Sequence, residues 1–225
     1  MSEQNILHIR QAITEARAEE ANTHALQNYI ESQLPQMHRV INLPEDKAGA
    51  TMIDFVTRYI EHVPDFVEAL TELTKTSGIH SCAEGLLTIA QTYFAKPPEL
   101  VNDHKGLHAL IDEAYLAHRL MEEVNDRIMM KYGIPLVPMD MTVSNLIVHN
   151  LLGDDFANEL DTAVHYSIEG LFKTDKFIDQ PQFNNYVENH KRDGWDSDLK
   201  RWPCLAGDSS ITLNLDMNVP DGDLH

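Results

Sequence analysis

GLHALIDEAYLAHRLMEEVNDRIMMKY, residues 106–132, is the stretch that decides the fold. Leu107, Leu110, Ile111, Ala114, Ala117, Met121, Val124 and Ile128 recur at steps of three and four, the spacing that lines up one face of an α-helix. Gly133 and the two prolines of GIPLVP then end it. Upstream, Met52, Phe55, Val56, Tyr59, Ile60 and Val63 form a second stripe. Pro64 lacks the amide proton a helix interior needs, so a kink or a fresh start is expected there. Phe66, Val67, Leu70 and Leu73 carry the restarted segment to Gly78. Ile79 to Phe94 follows, with Cys82, Leu86, Ile89 and Tyr93 on one face and Lys96-Pro97-Pro98 as its stop.

Downstream, Thr142 is expected to cap NLIVHNLLGD, whose Leu146, Ile147, Val148, Leu151 and Leu152 point nearly all round. Such a helix is buried on several sides or sits in an interface. Gly153-Asp154 marks a joint. Phe156 to Phe172 continues with Leu160, Val164, Ile168 and Leu171, and a short helix runs from Pro181 to Arg192 before Gly194. Ser2 to Gln33 reads as one N-terminal helix with an interrupted stripe. Near the other end Ile211, Leu213, Leu215, Met217 and Val219 alternate with polar residues, a strand signal. That strand would pair with Leu199 to Leu205, pair with a neighbouring chain, or stay unordered. The expected fold is all-α. An antiparallel helical bundle of four to six main helices occupies 50–173. An N-terminal helix and loop fill 1–49, and 174–225 is an extension with a short helix and at most a β-hairpin.

Composition narrows the function. With 17 basic against 36 acidic residues the formal charge is -19, which repels nucleic acid and anionic membrane surfaces. No run of about eighteen apolar residues encodes a membrane span. The opening MSEQNILHIRQ lacks the basic-then-apolar order of a secretory signal, and two cysteines make no disulfide framework. Cytoplasmic residence is the expectation.

Three His-x-x-x-Glu pairs test for metal chemistry: His80 with Glu84, His118 with Glu122, and His165 with Glu169. A spacing of four puts both side chains on one helical face, within reach of one ion. The first and third pairs turn away from the apolar stripes and should face water. Only the middle pair is open to an inward reading, His118 lying at the edge of the core face with Glu113 on the other flank, and surface pairing is the commoner reading of all three. Ferritin-like di-iron carboxylate bundles raise the comparison, but they carry Glu-x-x-His on two helices. No main helix here has that motif. His104 and His108, interrupted by Gly106, read as a solvated entry loop; Glu20 and His24 read as a solvated pair. Cys82 belongs to an apolar stripe, Cys204 lies in a turn cluster, and no nucleophile elbow or phosphate loop is present. Met121, Met129, Met130, Met139 and Met141 gather near one end, as core filler or else as the lining of an adaptable pocket, and Asn125 and Asn150 should fix helix register in preference to lining a small polar cavity.

Two expectations of function follow. The first is a non-catalytic binding or oligomerising protein, its partner a second copy or another protein. The second is a non-haem, di-metal carboxylate-type oxidoreductase. Iron, manganese or zinc would sit on Glu113, His118 and Glu122 inside the bundle, completed by His165 if a kink at Gly153 turns that helix by about one residue.

Overall fold

The computed structural model describes residues 3–98, 106–174, 178–195, 202 and 205–214. Among them are eight α-helices: α1 (Glu3–Thr23), α2 (Ala25–Gln33), α3 (Ala48–Thr76), α4 (His80–Ala95), α5 (Leu110–Tyr132), α6 (Thr142–Leu152), α7 (Asp154–Thr174) and α8 (Pro181–Asp193). They form the all-α antiparallel bundle expected from the sequence. α5 is its axis and packs against α3, α4, α6 and α7, while α1 lies across α3 and α4. Ile111 through His118 are all buried, every side of that turn and the next. The small side chains of Ala114 and Ala117 let neighbours approach closely from different directions.

Two boundaries differ from the sequence expectation, each for a local reason. The N-terminal helix is not continuous: His24 adopts φ 52, ψ 31, a left-handed conformation that β-carbon crowding disfavours. No side chain at His24 caps α2, but Glu20 reaches forward instead. Its two oxygens accept the backbone N–H groups of Leu26 (2.9 Å) and Gln27 (3.2 Å). Conversely, α3 runs unbroken through Pro64. Val63, Phe66 and Val67 on either side are at most 1% exposed, so burial there offsets the missing donor.

The C-terminal strand is brief. Ile41–Asn42 (β1) pairs antiparallel with Thr212–Leu213 (β2), in register Ile41 to Leu213 and Asn42 to Thr212, and Asn214 N–H adds a bond to the Val40 carbonyl at 2.7 Å. The partner of its described part is thus the segment after α2. Ile211 is buried just before the pair. Leu215, Met217 and Val219 lie outside the described residues, as do His104 and Cys204. No helix among the described residues is long and apolar enough to cross a membrane.

A candidate binding cleft and the polar chain beneath it

The central position of α5 brings ionisable groups inside that its apolar stripe alone would leave out. Asp112 is 3% exposed, Glu113 8% and His118 0%. Burial pushes the Asp112 carboxyl up to about 7 and that of Glu113 to about 8, the charge of Asp112 adding to the latter. One Glu113 oxygen, Oε2, has no hydrogen-bond partner.

His118 is fixed by its surroundings. Its Nδ1–H donates to the Ala114 carbonyl at 2.9 Å, since a carbonyl only accepts, and this leaves Nε2 bare. Nε2 therefore accepts from Nδ1–H of His62 at 3.0 Å. The two imidazoles are parallel, 1° apart with centroids 5.3 Å away, and His118 also packs on Tyr59 at 4.2 Å and Phe66 at 5.2 Å. Burial pushes His62 down to about 4 against the pull of Asp65, and holds His118 well below the usual imidazole range. Both rings are neutral and both N–H donors are consumed. His62 completes the stripe Phe55–Tyr59–His62–Phe66 at steps of four, three and four, a signal present in the sequence but not singled out there.

A second set of polar groups joins four helices. Tyr59 on α3 donates to Asn145 Oδ1 on α6 at 2.6 Å, and Asn145 Nδ2 donates to Glu122 Oε2 on α5 at 2.6 Å. Arg119 donates to the same Glu122 oxygen and, through Nε, to Asp161 on α7 at 2.9 Å. Tyr115 gives its single proton to Asp161 at 3.0 Å, so its oxygen accepts from His149 Nδ1–H at 2.9 Å. Burial works against the charge of Arg119, but the Asp161 hydrogen bond and the Glu122 charge hold it above the ordinary arginine value. The chain is a cross-link between helices, with its donors and acceptors spent on one another.

The metal-ligand set of the sequence reading does not gather here. His118 is in the core, Glu122 faces Arg119 and Asn145, and His165 is exposed on α7. Among the described residues no three His, Cys, Asp or Glu side chains stand close enough to hold one ion. His80 is half-buried and meets Thr74 Oγ1 at 3.1 Å, while Glu169 bonds Arg127 and Lys173. His108 stacks on Tyr29 with centroids 4.0 Å apart.

Glu122 ends the polar chain at a cleft of about 290 Å³ between the last turns of α5 and the 135–142 segment. Glu122, Asp126 and Asp140 supply three carboxylates; Met129, Met139, Met141, Pro135 and Pro138 supply apolar wall; no lysine or arginine lines it. Asp126 is raised by partial burial and by the charges of Glu122 and Glu123. The wall is held from behind by Asn125, whose Nδ2 donates to the carbonyls of Val137 (3.0 Å) and Met139 (3.3 Å) and whose Oδ1 accepts Val137 N–H (3.2 Å). Tyr186 adds a bond to the Leu136 carbonyl. Asn125 thus pins a loop rather than setting helix register, and Asn150 likewise accepts from His38 N–H at 2.9 Å. Thr142 is the first residue of α6 rather than its cap, and Asp140 just ahead of the helix accepts its N–H at 3.1 Å. The methionines divide: Met121, Met139 and Met141 are buried, while Met129 is 44% and Met130 88% exposed.

Comparison with protein families, with characterised proteins and with solved structures finds no match.

Proposed function

We propose that the protein is a non-catalytic binding protein whose cleft at the end of α5 receives an apolar protein segment bearing lysine or arginine. The observation that carries this is the lining itself: the carboxylates of Asp126 and Asp140, beside that of Glu122 which Arg119 and Asn145 hold from behind, and three methionines around a pinned backbone, with no basic residue among the lining. Methionine adapts to irregular apolar partners, and the fixed loop lowers the ordering cost of binding. The net charge of -19 steers cationic segments toward the molecule. The interior His pair and the Tyr59–His149 chain support the non-catalytic class, because their N–H and O–H donors serve neighbouring helices.

Methyl-labelled methionine NMR tests it, with an amidated lysine–leucine peptide as probe and a glutamate–leucine peptide as control. The lysine peptide should shift Met129, Met139 and Met141 saturably and leave the other methionines in place. Asp126→Lys should weaken it about tenfold or more, since a like charge then faces the guest. Equal binding by that variant, or by the glutamate peptide, removes the proposal.

A further inference from the structure

Met129 stands apart from the other methionines of the cleft. Glu122, Asp126 and Met129 follow one another at steps of four and three along α5, so one stripe of that helix faces the cleft and Met129 is its outer end. Met139 and Met141 on the facing segment are 6% and 1% exposed, whereas Met129 is 44% exposed. A helical backbone is covered by its own turns and side chains, so that surface belongs to the side chain, whose distal part is the thioether. Met130 is 88% exposed but sits about 100° further round the helix and does not line the cleft.

An exposed thioether is open to oxidation, while the two buried ones are shielded. The oxidant that fits this site is a hydroperoxide, because a neutral molecule is not repelled by the carboxylates of Asp126 and Asp140. The sulfur lone pair attacks one peroxide oxygen and the O–O bond breaks as the S–O bond forms. The proton on the transferred oxygen passes to the departing hydroxide, leaving a sulfoxide and water. Sulfur loses two electrons and the peroxide gains them. The product places a hydrated acceptor where the apolar wall stood, and ionised carboxylates beside it offer no donor. We infer that Met129 is a reversible oxidation site through which a hydroperoxide weakens guest binding at the α5 cleft. The inference rests on the cleft receiving an apolar basic segment, as proposed above.

The test titrates full-length protein with the amidated lysine–leucine peptide, which contains no sulfur. Affinity is measured before hydrogen peroxide, after peroxide and its removal by catalase, and after methionine sulfoxide reductases with a dithiol. Mass spectrometry reads which methionines gained oxygen. Met129 and Met130 should be converted while Met121, Met139 and Met141 stay thioethers. Affinity should fall about fivefold or more and return on reduction. Met130→Leu, outside the lining, should lose affinity to peroxide as the unmodified sequence does. Met129→Leu, of similar volume, should keep through peroxide whatever affinity it starts with. Met129→Gln, with a polar group fixed there, should bind about as weakly as the oxidised protein without any peroxide. No binding by the reduced protein would remove the cleft reading and this inference with it. Equal affinity before and after conversion of Met129 would overturn the oxidation site alone. So would a Met129 that stays reduced while Met139 or Met141 oxidises, an undiminished peroxide effect in Met129→Leu, or full-strength binding by Met129→Gln.

Discussion

His62 and His118 show what a single buried donor is worth. His118→Phe keeps the ring packing against Tyr59 and Phe66 but orphans the His62 N–H, and should cost about 1–3 kcal/mol in urea unfolding. Adding His62→Phe removes both partners and should restore much of that loss, a coupling read from a double-mutant cycle. Proton linkage gives a second prediction. Asp112 and Glu113 have folded values of about 7 and about 8, above unfolded values near 4, so their contribution is complete below about pH 4 and declines as pH rises toward 8. His62, at about 4 when folded and about 6.5 when unfolded, acts in the opposite sense: its contribution is complete above pH 6.5 and is lost as pH falls toward 4. Stability should peak on the acid side of neutrality and decline by about pH 8.5. The double variant Asp112→Asn, Glu113→Gln should flatten that alkaline fall. A urea midpoint that keeps rising to about pH 8.5 would mean both carboxyls ionise within the fold. Rotational phase puts His118 and Glu113 on the flanks of the inward face of α5 and leaves Asp112 out altogether. Phase separates inside from outside for a helix with one covered face, and α5 is covered from several directions.

Helix boundaries turn on single residues that act against their type. His24 occupies a left-handed conformation that suits glycine, so His24→Gly should stabilise the protein by about 0.5–1 kcal/mol. Glu20→Ala, which removes both acceptors from the start of α2, should cost about 1 kcal/mol; a thermal-melt comparison of the two variants reads both signs. The sequence showed the apolar spacing of every main helix, from Phe55 on α3 to Leu171 on α7, because burial and period are linked. It did not show the break at His24, since histidine is no breaker and the cap comes from four residues earlier. At Pro64 the sequence left a kink or a restart open, and the restart does not occur: α3 is one helix across it. At the cleft, the gathered methionines and Asn125 were visible. Asn125→Ala should leave the carboxylates and methionines of the lining in place yet weaken the lysine–leucine peptide, because the loop backbone loses three bonds.

For the whole molecule, the two-residue ladder between β1 and β2 ties the end of the described chain to its first third. Removing residues 211–225 exposes the site that Ile211 fills and should cost about 2 kcal/mol, or about 4–8 °C in Tm. Sedimentation should be unchanged, because the described part of that strand pairs within its own chain; a drop in mass would restore an intermolecular role for it. Alternation from Ile211 onward foretold a strand, but a partner some 170 positions away carries no local signature, as short-range pattern cannot report long-range pairing. That distance has a consequence for biosynthesis. Residue 41 leaves the ribosome long before residue 213 exists, so the β1 edge stays open while α3 to α8 are made. The nascent bundle is latched only after residue 213 has been made, with α3 to α8 already built and the β1 backbone edge unpaired until then.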